Sequence, residues 1–243
     1  MASLVAKGMA AIRTRMTPQR KPQPPLDSVD FGDLRNTSPV SRVFGLDRGT
    51  PIDRYYIEGF LASNSSLIRG RVLEIGDRTY TERFGGAAVV QSDVLHLTGD
   101  SPEATIVADL TDAPQIATDT FDCIILTQQL HFTFRMEAEV SELLRILKPG
   151  GSVLCTVPGI SQISRYDMDR WGDYWRLTSL SARELFETAF PAQSVHVETF
   201  GNVLAATGFL HGLAVSELSP AELDVRDDDY QLIVAVRATK PHS

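Results

Sequence analysis

The chain has 243 residues and is 43% hydrophobic, enough to bury one full core on a prior of roughly 100–200 residues per domain. Its formal charge of −8 is unevenly spread: residues 1–26 hold Lys7, Arg13, Arg15, Arg20 and Lys21 and no acid, leaving 18 basic against 31 acidic residues, or −13, for the rest. A body this acidic argues against nucleic-acid partners, and no apolar run reaches the ~18 residues of a membrane helix.

Residues 1–30 read as a basic tail, with Lys21-Pro22-Gln23-Pro24-Pro25 as its linker. A domain over 31–243 follows, divided into a helical cap (31–69), a core (70–200) and a carboxyl-terminal helix and strand (201–243). Thr50-Pro51-Ile52-Asp53 has the form of a helix start, with Thr50 as cap, Pro51 at the first helical position and Asp53 reaching back. Strands are expected near 71–75, 87–92, 104–108, 121–126, 152–157, 194–199 and 230–238. With intervening helices this is the alternation of a doubly wound, Rossmann-like α/β sheet.

The stretch from Phe121 to Pro158 is the clearest in the chain. Met136, Val140, Leu143, Leu144 and Leu147 recur at steps of three and four, one face of a helix, with Glu137, Glu139 and Glu142 between them. Lys148 suits the helix end, Pro149 cannot continue it, and Gly150-Gly151 supply a turn. The flanking runs, FDCIIL and SVLCTVP, are continuous rather than alternating, as in parallel strands covered on both faces. Cys123 and Cys155 both fall in these runs, which favours buried thiols in a reducing, cytoplasmic setting over a disulfide framework. Farther on, Thr178 is placed to cap a helix bearing Leu185, Phe186 and Phe190, and another helix starts near Asn202.

Ligands of such sheets bind beyond the carboxyl ends of the strands. The first strand ends in Glu74-Ile75-Gly76, the second in Asp93, placed to accept hydrogen bonds from ribose hydroxyls, and the third in Ala108-Asp109-Leu110. Glu74-x-Gly76, Asp93, Ala108-Asp109-Leu110, FDCIIL and ILKPGG together resemble the class I S-adenosylmethionine-dependent methyltransferases, over about residues 70–200. The resemblance implies a seven-stranded, mostly parallel sheet with an antiparallel last strand. It also implies S-adenosylmethionine across the first four strand ends, leaving as S-adenosylhomocysteine, with Asp93 on the ribose and Asp109 near the adenine. Val94, Leu110, Thr127 and Gln128 lie on the same strand ends. From the preceding helix, Arg54 is expected at the donor carboxylate and Tyr56 folded over the donor. The wider run including GDRTYTERFGG and VPGISQISRYD looks like a bacterial subgroup associated with polysaccharide genes, which inclines the acceptor toward a sugar.

One loop departs from the family. Three alternating glycines are usual after the acid, but here Gly76 is followed by Asp77-Arg78-Thr79-Tyr80, which replaces the second and third by Arg78 and Tyr80. Glycine permits backbone angles and close approaches that these residues do not. Either the loop takes another course, with Tyr80 and Thr81 meeting the donor by side chain, or donor binding is lost and the domain is a silent scaffold. A dinucleotide or nucleotide-sugar enzyme is disfavoured, because one glycine beside Asp77 makes a poor phosphate cradle.

The acceptor side is expected in the long segment from Pro158 to Arg176, which holds both tryptophans. Arg165, Tyr166, Trp171, Tyr174 and Arg176 are its candidate acceptor contacts, since aromatic faces beside charged groups suit a polyhydroxylated ring. Trp175 reads equally well as an anchor to the core. His131, at the rim after the fourth strand, is the candidate base, with Asp167, Asp169 and Asp173 as competitors. No metal site is read from the sequence. The expectation is an O-methyltransferase acting on a small or glycan-type acceptor, neutral rather than acidic, as a monomer or homodimer.

Overall fold

A computed structural model describes residues 23–242. Residues 23–37 belong to a unit of their own, in which Gly32–Arg35 forms a single 3₁₀ turn. Most of the expected basic tail lies outside the described residues.

The second unit, Ser38–Ser243, is built on seven strands: β1 (Gly70–Ile75), β2 (Val89–His96), β3 (Ile106–Val107), β4 (Phe121–Thr127), β5 (Leu147–Pro158), β6 (Val195–Phe200) and β7 (Ile233–Thr239). Their order across the sheet is β3-β2-β1-β4-β5-β7-β6. Only β7 runs antiparallel, to β5 on one side and β6 on the other. The order reverses direction between β1 and β4, the place where open sheets of this type form a crevice. The expected seven-stranded doubly wound sheet with an antiparallel last strand is what the chain forms.

The continuous apolar runs are explained by two cores, one on each face. Val72, Cys123, Ile125 and Leu154 point to the side covered by α1 (Ile52–Ser63) and α5 (Val203–His211). Their neighbours Leu73, Ile124, Val153 and Cys155 point to the side covered by α2 (Met136–Ile146) and α4 (Ser179–Glu187). Successive strand residues alternate faces, so a strand buried on both sides has no polar position to show. Both cysteines are buried free thiols, and they face opposite cores.

Thr178 caps α4 by accepting from the Ser181 amide, and Asn202 caps α5 by accepting from Leu204 and Ala205. The start of α1 differs from expectation. Pro51 stands just outside the helix with no side-chain cap, because it bridges to Ala214 while the Thr50 carbonyl accepts from Val215. Tertiary pairing has taken the atoms a cap would use. The ILKPGG segment also differs: α2 ends at Ile146 and β5 already begins at Leu147, paired with Phe121. Lys148 therefore serves Asp122 at 2.6 Å rather than the helix end, and Gly150 takes φ +80° to make the turn. Two short helices, α3 (Arg165–Met168) and α6 (Pro220–Leu223), complete the set. No helix among the described residues is long and apolar enough to cross a membrane.

Candidate functional site

Two cavities meet over the carboxyl ends of the strands. The first, about 600 Å³, is lined by Ile75 and Gly76 at the end of β1, Leu95 to Thr98 at and beyond the end of β2, Ala108 to Thr111 after β3, and Thr127 to Gln129 at and beyond the end of β4. Phe132 to Arg135, Trp171 and Tyr174 close it. The second, about 470 Å³, lies between the Arg42–Leu46 turn, the start of α1 and the Ser161–Arg176 segment. Gln128 and Phe132 line both.

The first loop takes a course of its own. Glu74 is 2% exposed, and its two carboxylate oxygens accept from the Tyr80 amide at 3.1 Å and the Thr81 amide at 2.7 Å. Burial pushes its carboxyl up while the bonds to Thr81 and Tyr80 oppose this. The chain then turns directly into a single π-helical turn, Thr81–Gly85. Gly76 has φ +95° with no atom within 4 Å of where a side chain would begin, so the backbone lies bare against the cavity. Asp77 accepts from the Thr79 amide at 2.8 Å, and Tyr80 turns inward to bond Arg54 at 2.6 Å. Asp77, Arg78, Tyr80 and Thr81 are therefore not cavity residues, against expectation. Of residues 76–81 only Gly76 lines the cavity, because the chain leaves the cleft straight after it.

Asp93 is a second correction. Strand β2 runs to His96, with Leu95 paired to Ile75, so Asp93 sits level with Leu73 and about 10 Å short of the strand end at ~3.3 Å per residue. It is buried and bonded to Arg71 at 2.7 Å, Gln91 at 3.1 Å and Thr105 at 3.2 Å. Val94 is likewise buried within the strand, its amide on the Thr105 hydroxyl. The residue at the end of β2, lining the first cavity, is His96, whose Nε2 bonds the Gly76 carbonyl. Since a carbonyl only accepts, Nε2 is the donor in this bond, which in a neutral ring leaves Nδ1 as an acceptor. The sequence reading missed His96 by ending β2 too early. The alternation of Leu95 and Leu97 about it was the available signal.

Asp109 and Leu110 do line the first cavity, with Asp109 also holding the Thr111 amide at 2.8 Å. Thr127 and Gln128 line it as well. Gln128 has φ +51°, one of four described non-glycine residues with positive φ, and is held there by its amide on the Thr156 carbonyl at 2.8 Å and its side chain on the Thr156 hydroxyl at 3.3 Å. Tyr56 lies away from both cavities, its hydroxyl on the Leu223 carbonyl. Arg54 lines the second cavity, not the first.

The aromatic segment is divided between the cavities. Arg165, Tyr166, Asp167, Asp173 and Arg176 line the second, whereas Trp171 and Tyr174 line the first. Trp175 packs against the core and stacks on Phe134 at 5.7 Å. Asp173 accepts from both terminal nitrogens of Arg176, at 2.5 and 2.9 Å, and from the Ser164 amide at 2.9 Å. Burial works to raise its carboxyl, but the Arg176 and Ser164 bonds outweigh it and the net shift is downward. Asp169 lies outside both cavities, paired with Arg165 at 3.2 Å. His131 lines the second cavity but is 4% exposed. Burial pulls its pKa down to about 3, which makes it a neutral ring and a feeble base. Its carbonyl accepts from the Tyr174 and Trp175 amides, so it also fastens the aromatic segment to β4.

A buried acid went unread. Glu139, placed on the polar face of α2 by its spacing, is fully buried instead. Thr133 and Gln129 lie against it without a hydrogen bond of good geometry, and burial pushes its carboxyl up to about 7.

Comparison with known proteins agrees with this architecture. Residues 87–155 match the family described as a methyltransferase domain. The chain has the fold of the class I S-adenosylmethionine-dependent methyltransferases. A S-adenosylmethionine-dependent methyltransferase from Archaeoglobus fulgidus is similar at 12% identity and a TM-score of 0.51, over 77% of this chain and 94% of that one. A second, from Thermotoga maritima, shares 16% identity at a TM-score of 0.50, over 78% and 91%. The [4+2]-cyclase SpnF is equally similar, at 18% identity and a TM-score of 0.51, over 78% and 81%. The methyltransferase fold therefore leaves the reaction to be argued from the site. No curated protein matches the sequence significantly.

Proposed function

We propose that the protein transfers a methyl group from S-adenosylmethionine to an oxygen of a small or glycan-type acceptor, with the donor in the first cavity and the acceptor in the second. The observation that carries this is Gln128. Its positive φ is held at the wall common to both cavities, and backbone held in a sparsely populated region marks functional sites.

The first cavity fits the donor. Ile75, Leu95, Leu97 and Leu110 give apolar walls for a nucleoside, Asp109 offers a carboxylate, and bare Gly76 permits close approach. His96 replaces Asp93 as the candidate ribose partner, through the Nδ1 lone pair that its bond to Gly76 leaves free. Donor, when bound, supplies a methyl group on a positively charged sulfur, already activated for displacement. What the chain adds is alignment.

Titration with S-adenosylhomocysteine tests the reading. Micromolar binding is expected, weakened about tenfold in His96→Ala, the loss of roughly one hydrogen bond, and retained in His96→Asp, which restores an acceptor. Absence of binding at millimolar ligand would make the domain a scaffold, and equal affinity in all three proteins would remove His96 from the site.

A further inference from the structure

The second cavity has a charge opposite to that of the molecule around it. Four guanidiniums line it, those of Arg42, Arg54, Arg165 and Arg176, against three carboxylates, those of Asp53, Asp167 and Asp173. Their pairing sharpens the imbalance. Asp173 is consumed by Arg176, and Arg165 has a rim partner in Asp169. Arg42 and Arg54 have no ion pair among the described residues. Arg54 spends one nitrogen on the Tyr80 hydroxyl and keeps the rest of its fork. Against burial, which works to lower its pKa, Asp53 and Glu58 act on it from a distance to hold that pKa above the ordinary value, but neither makes an ion pair with it. A protein with a formal charge of −8 has here two guanidiniums without a direct ion pair in a concave, part-apolar site.

The cavity is poor in free bases, with one partly free carboxylate, that of Asp167. His131 is buried and neutral, Asp173 is committed to Arg176 and Ser164, and Asp167 is committed in part to the Ser164 hydroxyl at 2.5 Å. Removing a proton from a neutral hydroxyl requires a positioned group that accepts it. An acceptor that arrives already ionised requires none.

We propose that the acceptor is a carboxylate, held by Arg54 and Arg42, and that the product is its methyl ester. This rests on the methyltransferase reading and replaces the neutral acceptor expected from net charge. A carboxylate oxygen forms the new bond to the methyl carbon as the carbon–sulfur bond breaks. The bonding pair stays on sulfur, which becomes a neutral thioether, and no proton moves. A guanidinium fork matches a carboxylate in shape and charge.

The test is calorimetric and needs no turnover. With S-adenosylhomocysteine saturating, the protein is titrated with glucuronate and its neutral amide, and with benzoate and benzamide. The acid of at least one pair is expected to bind about tenfold or more tighter than its amide, the worth of a hydrogen bond to a charged group. Arg42→Gln and Arg54→Gln should each erode that preference while S-adenosylhomocysteine affinity holds. If neither acid outbinds its amide, or if both variants keep the full preference, the carboxylate assignment is wrong. The separate S-adenosylhomocysteine titration shows whether the methyltransferase reading fails with it.

Discussion

The two cavities lie side by side but are built differently. The first rests on strand ends tied to the sheet: Gly76 to the Leu95 carbonyl at 3.1 Å, Gln128 to Thr156, and Glu74 to the turn that follows β1. The second is assembled from segments remote in sequence, with Arg42 and Gln162 joined by one hydrogen bond of 2.9 Å. One is a property of the fold, and the other is a property of loops laid over it. Loops on a rigid scaffold are where specificity varies, so the first cavity, the proposed donor side, should be brittle to changes in buried polar groups and the second, the proposed acceptor side, to changes in surface charge.

Breaking the donor side at Glu74 should have the largest effect. Glu74→Ala leaves the Tyr80 and Thr81 amides without an acceptor, at a cost of about 2–5 kcal/mol for two buried donors, and S-adenosylhomocysteine affinity should fall with the turn. Urea unfolding and titration would show both, and unchanged affinity would mean that Glu74 does not shape the cleft.

Glu139 tests whether buried polarity beside the donor cleft is harmful to the fold itself. Its carboxyl is held at about 7 against an ordinary value of ~4.3, so the folded protein carries an extra proton between those limits. Stability therefore declines as pH rises from about 4 to about 7 and is level above. Glu139→Gln should remove that slope and stabilise the protein at pH 8 by up to ~3 kcal/mol. Thermal melts across this range decide it, and an unaltered slope would place the titration elsewhere.

On the acceptor side, Asp173→Asn should loosen the Ser161–Arg176 segment and cost about 1–3 kcal/mol at neutral pH. Because the folded pKa of Asp173 is depressed, its contribution is present above about pH 4 and is lost as pH falls through the lower folded value. The variant should accordingly lose less stability on acidification than the native chain. Donor affinity should not move, and a matching loss there would mean that the two cavities are one mechanical unit.

The smallest effect is expected from Asp93→Ala. Its partners have alternatives, since Arg71 is 36% exposed and can turn to water and the Thr105 hydroxyl also reaches the Val94 carbonyl at 3.3 Å, so about 1 kcal/mol is at stake. S-adenosylhomocysteine should bind as before, and a strong loss would return Asp93 to the ribose.

The donor side was the more legible of the two for the same physical reason that it is rigid. FDCIIL and SVLCTVP announce strands buried on both faces, and the strand ends at Asp109, Thr127 and Gln128 follow from them. Errors arose where a local signal competed with a tertiary one. Asp93 looked like a strand end because an acid commonly breaks a strand, yet Arg71 from the neighbouring strand neutralises it and β2 continues. Glu139 looked exposed because its neighbours Glu137 and Ser141 are. The second cavity had a local signal on one wall only, the segment that ends at Arg176: Arg42 and Arg165 are brought together only by the fold, and the depression of His131 depends on burial that sequence does not display.

The backbone of Gln128 has a consequence for how this protein can change. A side chain in the left-handed region costs on the order of 1–2 kcal/mol, and glycine at that position would recover part of it. Glutamine stands where the backbone angle alone favours glycine. Selection for a sturdier protein and selection for the wall between its two cavities point in opposite directions at that residue, so a screen for thermal tolerance run without regard to activity should find Gln128→Gly early and lose the cavity junction in doing so.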